Sequence, residues 1–233
     1  MNYNAYKTTL QTFYDNGLTN IELATVTQSE LGELLNAQDR LIKLLTEQGA
    51  KIAGWKIVEA QDSVVISPIF DFQVFSDYGE VIPSKAVIGT ETEVCFKLMV
   101  PTSNDIAYAP VSSLNTYVAV ELVRPAINVS NNPVCDFYFN YGVLISSKSV
   151  TGDLLFKGGN PDYTFAFSME EVAVKKRKVL NKGIRECIRR GYGGAAFFFI
   201  TGTLNGLVST VDSIGTNTLL VKGVESVIHF DVI

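Results

Sequence analysis

The chain of 233 residues is long enough for one large domain, since single hydrophobic cores grow to roughly 250 residues before chains split. Hydrophobic residues make up 47% and charged residues 18%, a balance that excludes intrinsic disorder, and a formal net charge of -5 gives no electrostatic bias toward nucleic acid or anionic membranes. Three cysteines without a CxxC spacing point to neither a disulfide framework nor a thiolate zinc site, and the single histidine, His229, excludes any site needing two.

Met1 is followed by Asn, Tyr and Lys rather than an apolar run, and no window approaches the ~20 apolar residues that cross a bilayer. The expectation is a cytoplasmic protein with neither a membrane nor a nucleic-acid partner. Residues 2–15 read as a first helix ending near Asn16 and Gly17. Thr27 and Glu30 then form a capping-box pattern before a second helix. In it Leu31, Leu34, Leu35, Leu41, Ile42, Leu44 and Leu45 recur at helical spacing, and Gly49 supplies the stop.

From Ala53 onward, short runs rich in Val, Ile, Phe and Tyr are punctuated by Gly, Pro, Asn and Ser, the pattern of strands. The predicted strands are 53–58, 63–67, 92–100, 116–123, 142–147, 162–168, 196–201, 217–221 and 224–231, with His229 in the last. Residues 168–190 carry mixed signals: Ser168 and Glu171 resemble a capping box, whereas Val172 and Val174 alternate as in a strand. The reading adopted is a strand to Lys176, then a helix over 179–190. The expected class is α+β and β-rich, with a helical segment 1–50 packed on the same domain as a β-rich part, 51–233.

Glu91-Thr92-Glu93 opens the apolar strand Val94-Cys95-Phe96-Lys97-Leu98. Strand side chains alternate, so both carboxylates project from one face, roughly 6 to 7 Å apart, with Thr92 on the other. Such a pair repels unless a cation or a shared proton relieves it, or unless water solvates both residues. Glu121 is a third carboxylate, in the strand Tyr117-Val118-Ala119-Val120-Glu121-Leu122-Val123, where an unpaired charge is expensive. Hard cations such as Mg²⁺ and Mn²⁺ prefer carboxylate oxygens. Lys56, in the strand with the only tryptophan, either snorkels to water or is held by a carboxylate or a substrate anion, where desolvation favours proton transfer.

Three weaker signals receive structural readings. Lys175-Lys176-Arg177-Lys178 reads as a solvated basic face, Gly191-Tyr192-Gly193-Gly194 as a turn, and Asn128-Val129-Ser130 as a glycosylation spacing without use.

Several of these residues recur in an order that resembles the fumarylacetoacetate hydrolase superfamily, in its 2-keto-4-pentenoate hydratase and 4-oxalocrotonate decarboxylase branch. They are Lys51-Ile52-Ala53-Gly54-Trp55-Lys56-Ile57, Pro68 and Phe70, Glu91-Thr92-Glu93, then Val120-Glu121-Leu122-Val123. Gln38, Asp136 and Ala196-Phe197-Phe198-Phe199-Ile200-Thr201-Gly202-Thr203 extend the likeness along the chain. The resemblance implies a mixed β-roll preceded by helices, and Mg²⁺ or Mn²⁺ held by Glu91, Glu93 and Glu121. It also implies a 2-oxo acid substrate and a homo-oligomer, at least a dimer. Lys56, Asp71 and Asp136 are then the expected catalytic residues, and Lys56, Phe137, Phe139, Thr201 and Gly202 the expected substrate contacts.

The chain also departs from the family pattern. Val58 replaces a glycine, Ile69 stands where the family has an acidic residue with Asp71 as a displaced substitute, and Phe137 with Tyr138 or Phe139 replace asparagine and serine. Past the third ligand only Arg124 is at hand. Three readings stay open: a metal-dependent hydratase or decarboxylase, a non-catalytic binding or assembly subunit, and a biosynthetic enzyme with a larger apolar substrate.

Overall fold

The structure, a computed structural model, describes all residues except 16–27, 61–62, 103–113, 128–132, 135, 161–162 and 222–225. The expected end of the first helix, the Thr27 cap, Cys135, the Asn128–Ser130 spacing and the start of the last predicted strand lie outside the described residues.

Helix α1 (Tyr3–Asp15) buries Tyr6, Leu10 and Tyr14, spaced four apart on one face. Helix α2 (Gln28–Glu47) buries Leu31, Leu34, Leu41, Ile42 and Leu45, the stripe its leucine spacing predicts. It stops where Gly49 takes a φ of 93° and the Ala50 N–H returns to the Leu45 carbonyl. Then follow β1 (Ile52–Ala60), β2 (Ser63–Phe70), β3 (Val74–Phe75), β4 (Tyr78–Ile82), β5 (Gly89–Met99) and β6 (Thr116–Val123). After them come β7 (Asn140–Ile145), β8 (Leu154–Lys157), β9 (Thr164–Phe167), α3 (Met169–Arg189), β10 (Ala196–Thr203), β11 (Val208–Ser209), α4 (Thr210–Ser213), β12 (Gly215–Val221) and β13 (Ser226–Val232).

The strands make two sheets among the described residues. The first runs β2-β1-β10-β5-β6-β7-β3, with β11 also paired to β5, and the second β4-β13-β12-β8-β9. Both are mixed: β1 with β10, β3 with β7 and β4 with β13 are parallel, the other pairs antiparallel. The α+β, β-rich class is therefore as expected. His229 lies in β13 and stacks on Tyr78 with ring centres 5.2 Å apart. No helix among the described residues is long and apolar enough to cross a membrane.

The segment 168–190 departs from expectation. Residues 169–189 form a single helix rather than a strand followed by a helix. Met169, Ala173, Leu180, Ile184 and Cys187 are buried at separations of four, seven, four and three, a helical stripe that outweighs the two-residue alternation of Val172 and Val174. Val174 is 56% exposed. Gly183 lets α3 approach the sheet closely, since a Cβ there would lie 2.3 Å from Ile57 Cδ1.

Alternation divides the first sheet by face. Trp55, Ile57, Val94, Phe96, Val118, Val120, Leu122 and Phe199 join the helices in the main core. The intervening positions carry a smaller apolar cluster of Ile69, Cys95, Ala119, Val143, Phe198 and Ile200, and with it Lys56, Glu91, Glu93 and Glu121. Cys95 and Cys187 are buried free thiols, as core cysteines are expected to be.

Candidate metal centre

The register of β5 against β6 sets Glu91 directly opposite Glu121 and Glu93 opposite Ala119, so Glu93 is the diagonal neighbour of Glu121 on the same face. One carboxylate oxygen from each of the three glutamates lies within 4.8 Å of the others. Glu93 and Glu121 are fully buried and Glu91 is partly so.

Lys56 reaches this cluster from β1. It pairs with Ile200 of β10, which in turn pairs with Cys95 of β5, and this places the lysine on the carboxylate face. Its ammonium donates to Glu121 Oε2 at 2.5 Å and lies 3.5 Å from Glu91 Oε2. Burial by itself lowers the lysine pKa, but the attraction of Glu121, Glu93 and Glu91 outweighs it, and the net shift is upward. Lys56 is therefore a fixed ammonium in this state, neither snorkelling nor poised as a base.

The carboxylate pKa values move upward as well, which for these groups favours the neutral form. Burial first, then repulsion from Glu121, raises the Glu93 pKa well above the usual carboxylate range, and burial raises that of Glu91. Hydrogen bonding is lopsided. Asn140 Nδ2 donates to Glu121 Oε1 at 2.8 Å, and the Gly202 N–H donates to Glu93 Oε2 at 2.9 Å. Among the described residues, the buried Glu93 Oε1 has no hydrogen-bond partner. A carboxylate oxygen without a partner, on a residue clustered with two further carboxylates, fits a divalent cation, which would supply the missing partner and offset the repulsion.

A β-bulge shapes the far side of the site. Ile200 pairs with Cys95 and Thr203 with Glu93, so Thr201 and Gly202 on β10 span what Val94 alone spans on β5. Gly202 has a φ of 85°, a conformation open to glycine, and that turns its N–H onto Glu93. The Thr201 hydroxyl donates to the Val94 carbonyl at 3.2 Å.

No family model matches the chain, and no curated protein matches it. Among solved structures it is similar to 4-oxalocrotonate decarboxylase from Pseudomonas putida G7 complexed with calcium and acetate, with a TM-score of 0.70 and 15% identity over 100% of this chain and 99% of that one. The same enzyme complexed with magnesium and adipate matches with a TM-score of 0.68 and 12% identity, again over 100% and 99%. The chain has the fumarylacetoacetate hydrolase fold.

Within this fumarylacetoacetate hydrolase fold the remaining expected site residues are placed unevenly. Asp136 is fully buried and engaged by Arg124: Nη1 donates to Oδ2 at 3.1 Å, and Nη2 makes a short bond to Oδ1. Asp71 is exposed in a single turn of 3-10 helix after β2, where its Oδ1 accepts from the Phe72 N–H at 3.0 Å. Neither aspartate joins the carboxylate cluster. Phe137 is buried against Tyr6 and Phe70, whereas Phe139 is half-buried. Between them Tyr138 feels the Lys56 charge, although burial raises its phenol pKa to about 12.

Two participants escaped the sequence reading. Asn140, which holds Glu121, carried no motif. Lys176 was assigned to a solvated basic face, yet its ammonium donates to the Thr201 and Gly202 carbonyls at 2.8 Å each. The available signal was the helical stripe of α3, whose correct reading turns Lys176 toward the sheet.

Proposed function

We propose that this chain is a metal-dependent lyase of the hydratase or decarboxylase type, acting on a 2-oxo acid or its enol tautomer, with Glu91, Glu93 and Glu121 holding Mg²⁺ or Mn²⁺. The observation that carries the reading is a three-carboxylate cluster in which the buried Glu93 Oε1 has no hydrogen-bond partner among the described residues. The structural likeness to an enzyme seen with calcium or magnesium supports it. A divalent cation held there supplies Lewis acidity, stabilising negative charge as it develops on the keto oxygen of a 2-oxo acid.

The chain's own residues do the rest. Lys56, kept protonated by its carboxylate neighbours, presents N–H donors beside Glu91 and Glu121, where it can hold a substrate oxygen. Asn140 and Gly202 fix the carboxylates, so little reorganisation accompanies the reaction. Asp136, tied to Arg124, acts in this reading by shaping the segment that carries Tyr138 and Asn140. Self-association through edge strand β4, which exposes Tyr78 and Val81, belongs to the same proposal.

A second reading, a larger apolar substrate, is favoured by the Ile69, Cys95, Ala119, Val143, Phe198 and Ile200 cluster on the carboxylate face. One experiment addresses both. With Mg²⁺ in D₂O, the protein is expected to exchange the C3 protons of 2-oxobutanoate, followed by proton NMR, and Glu93→Gln is expected to abolish exchange. Absence of exchange in protein shown to bind the metal would defeat the enolising reading. Faster exchange for a 2-oxo acid with a long alkyl chain would favour the apolar one.

A further inference from the structure

Lys176 occupies an unusual position for a member of a basic run. It lies in α3, half-buried, seven residues before the glycine that lets this helix approach β1. The β10 bulge withdraws Thr201 and Gly202 from regular pairing, and both of their carbonyls are taken up by the Lys176 ammonium at 2.8 Å. The contact is close: a Cβ on Gly202 would lie 3.3 Å from Nζ. The same glycine donates its N–H to Glu93 at 2.9 Å. A chain of two contacts thus runs from a helix-borne cation, through one peptide segment, to the carboxylate whose other oxygen has no hydrogen-bond partner among the described residues.

We propose that Lys176 is a positioning residue of the metal centre, fixing the Thr201–Gly202 bulge so that Gly202 holds Glu93 in its ligating orientation. This rests on the reading of Glu91, Glu93 and Glu121 as a divalent-cation site. A lysine suits the role because one ammonium offers three donors, enough for two carbonyls at once, whereas a neutral apolar residue offers neither carbonyl a donor. The neighbouring lysines lack this reach: Lys175 and Lys178 are exposed.

The competing account treats Lys176 only as a positive charge near the site, and it predicts the opposite sign. Removing a cation close to three carboxylates tightens divalent-cation binding by Coulomb's law. Removing a support for a ligand weakens it, typically by about 10- to 100-fold for groups that orient metal ligands.

The experiment is a Mn²⁺ titration of the full chain, with free Mn²⁺ read by electron paramagnetic resonance and folding checked by circular dichroism. Lys176→Met is expected to raise the Mn²⁺ Kd about tenfold or more. Lys176→Arg, which can still donate to two carbonyls, is expected to restore most of the affinity, and Lys178→Met to leave it unchanged. Lys176→Gln keeps an N–H donor without the charge, so it serves if the methionine variant does not fold, and a weakened Kd in it supports the proposal. Unchanged or tighter binding in a folded Lys176→Met variant, or tighter binding in Lys176→Gln, with wild type binding normally, overturns the positioning role and leaves the metal centre standing. Failure of wild type to bind Mn²⁺ overturns both.

Discussion

Glu93 has one oxygen held by Gly202 and one without a partner among the described residues, inside a cluster that contains two more carboxylates. Its burial and the repulsion from Glu121 both oppose ionisation, so the metal-free protein bears a cost there that a neutral side chain of the same shape avoids. Glu93→Gln is therefore expected to stabilise the metal-free protein at pH 7 by about 1 kcal/mol, or roughly 2–4 °C in Tm for a chain of this size. The same variant is expected to lose most of the Tm increase that Mn²⁺ gives wild type. Calorimetry with chelator and with Mn²⁺ checks both halves, and a variant less stable than wild type without metal would contradict the electrostatic account. Much of this was legible beforehand. Alternation along Glu91-Thr92-Glu93 fixes a shared face from sequence alone, and Glu121 stands out because its strand is otherwise apolar. The pairing of Lys56 with Glu121, rather than with water, depends on the order of strands across β10 and β5, which no local pattern specifies.

At the scale of the element, the segment between β6 and β7 combines a buried ion pair with an unusual backbone. Phe137, Tyr138 and Phe139 take φ values of 49°, 51° and 59°, a left-handed turn of three aromatic residues that costs of order 1–3 kcal/mol at each position. The surroundings hold it in place: Arg124 grips Asp136, the Arg124 N–H reaches the Phe139 carbonyl at 2.8 Å, and the Tyr138 N–H reaches that of Pro133 at 2.7 Å. Arg124→Met leaves Asp136 buried without its charged partner, so urea denaturation is expected to register a loss of about 3–5 kcal/mol. Arg124→Met combined with Asp136→Leu removes both charges and is expected to recover more than half of that loss while keeping Mn²⁺ affinity. Loss of Mn²⁺ binding in a folded double variant would instead assign Asp136 to the site. Sequence reasoning noticed Arg124 and Asp136 separately but could not join them, because the turn that brings them together uses conformations aromatic residues rarely adopt. Helix α3 was misread for a different reason: Val172 and Val174 imitate a strand over three residues, and only the stripe through Cys187 reveals the helix. Ending a strand at Lys176 and placing it on a solvated basic face hides its side of the helix, which faces the β10 bulge.

For the whole molecule, the site links folding to pH and to metal. Glu93 and Glu91 have folded-state pKa values raised above those of the unfolded chain, so the folded protein retains protons that the unfolded chain has released. A raised carboxyl contributes no penalty below the unfolded value, near pH 4.5, and lowers stability as pH rises from there through the folded value. Lys56 is also raised, so its contribution persists through neutral pH and is lost only in alkali. A divalent cation competes with those retained protons, because carboxylate ligands bind it in their ionised form. The Tm difference between Mn²⁺-loaded and chelator-treated protein is therefore expected to widen from pH 5 to pH 8, and to be flatter in Glu93→Gln, where one retained proton is gone. Scanning calorimetry across that range decides it. A difference that narrows as pH rises would mean that the cation does not displace protons from these carboxylates, and the cluster would then be held together by Lys56 and shared protons alone.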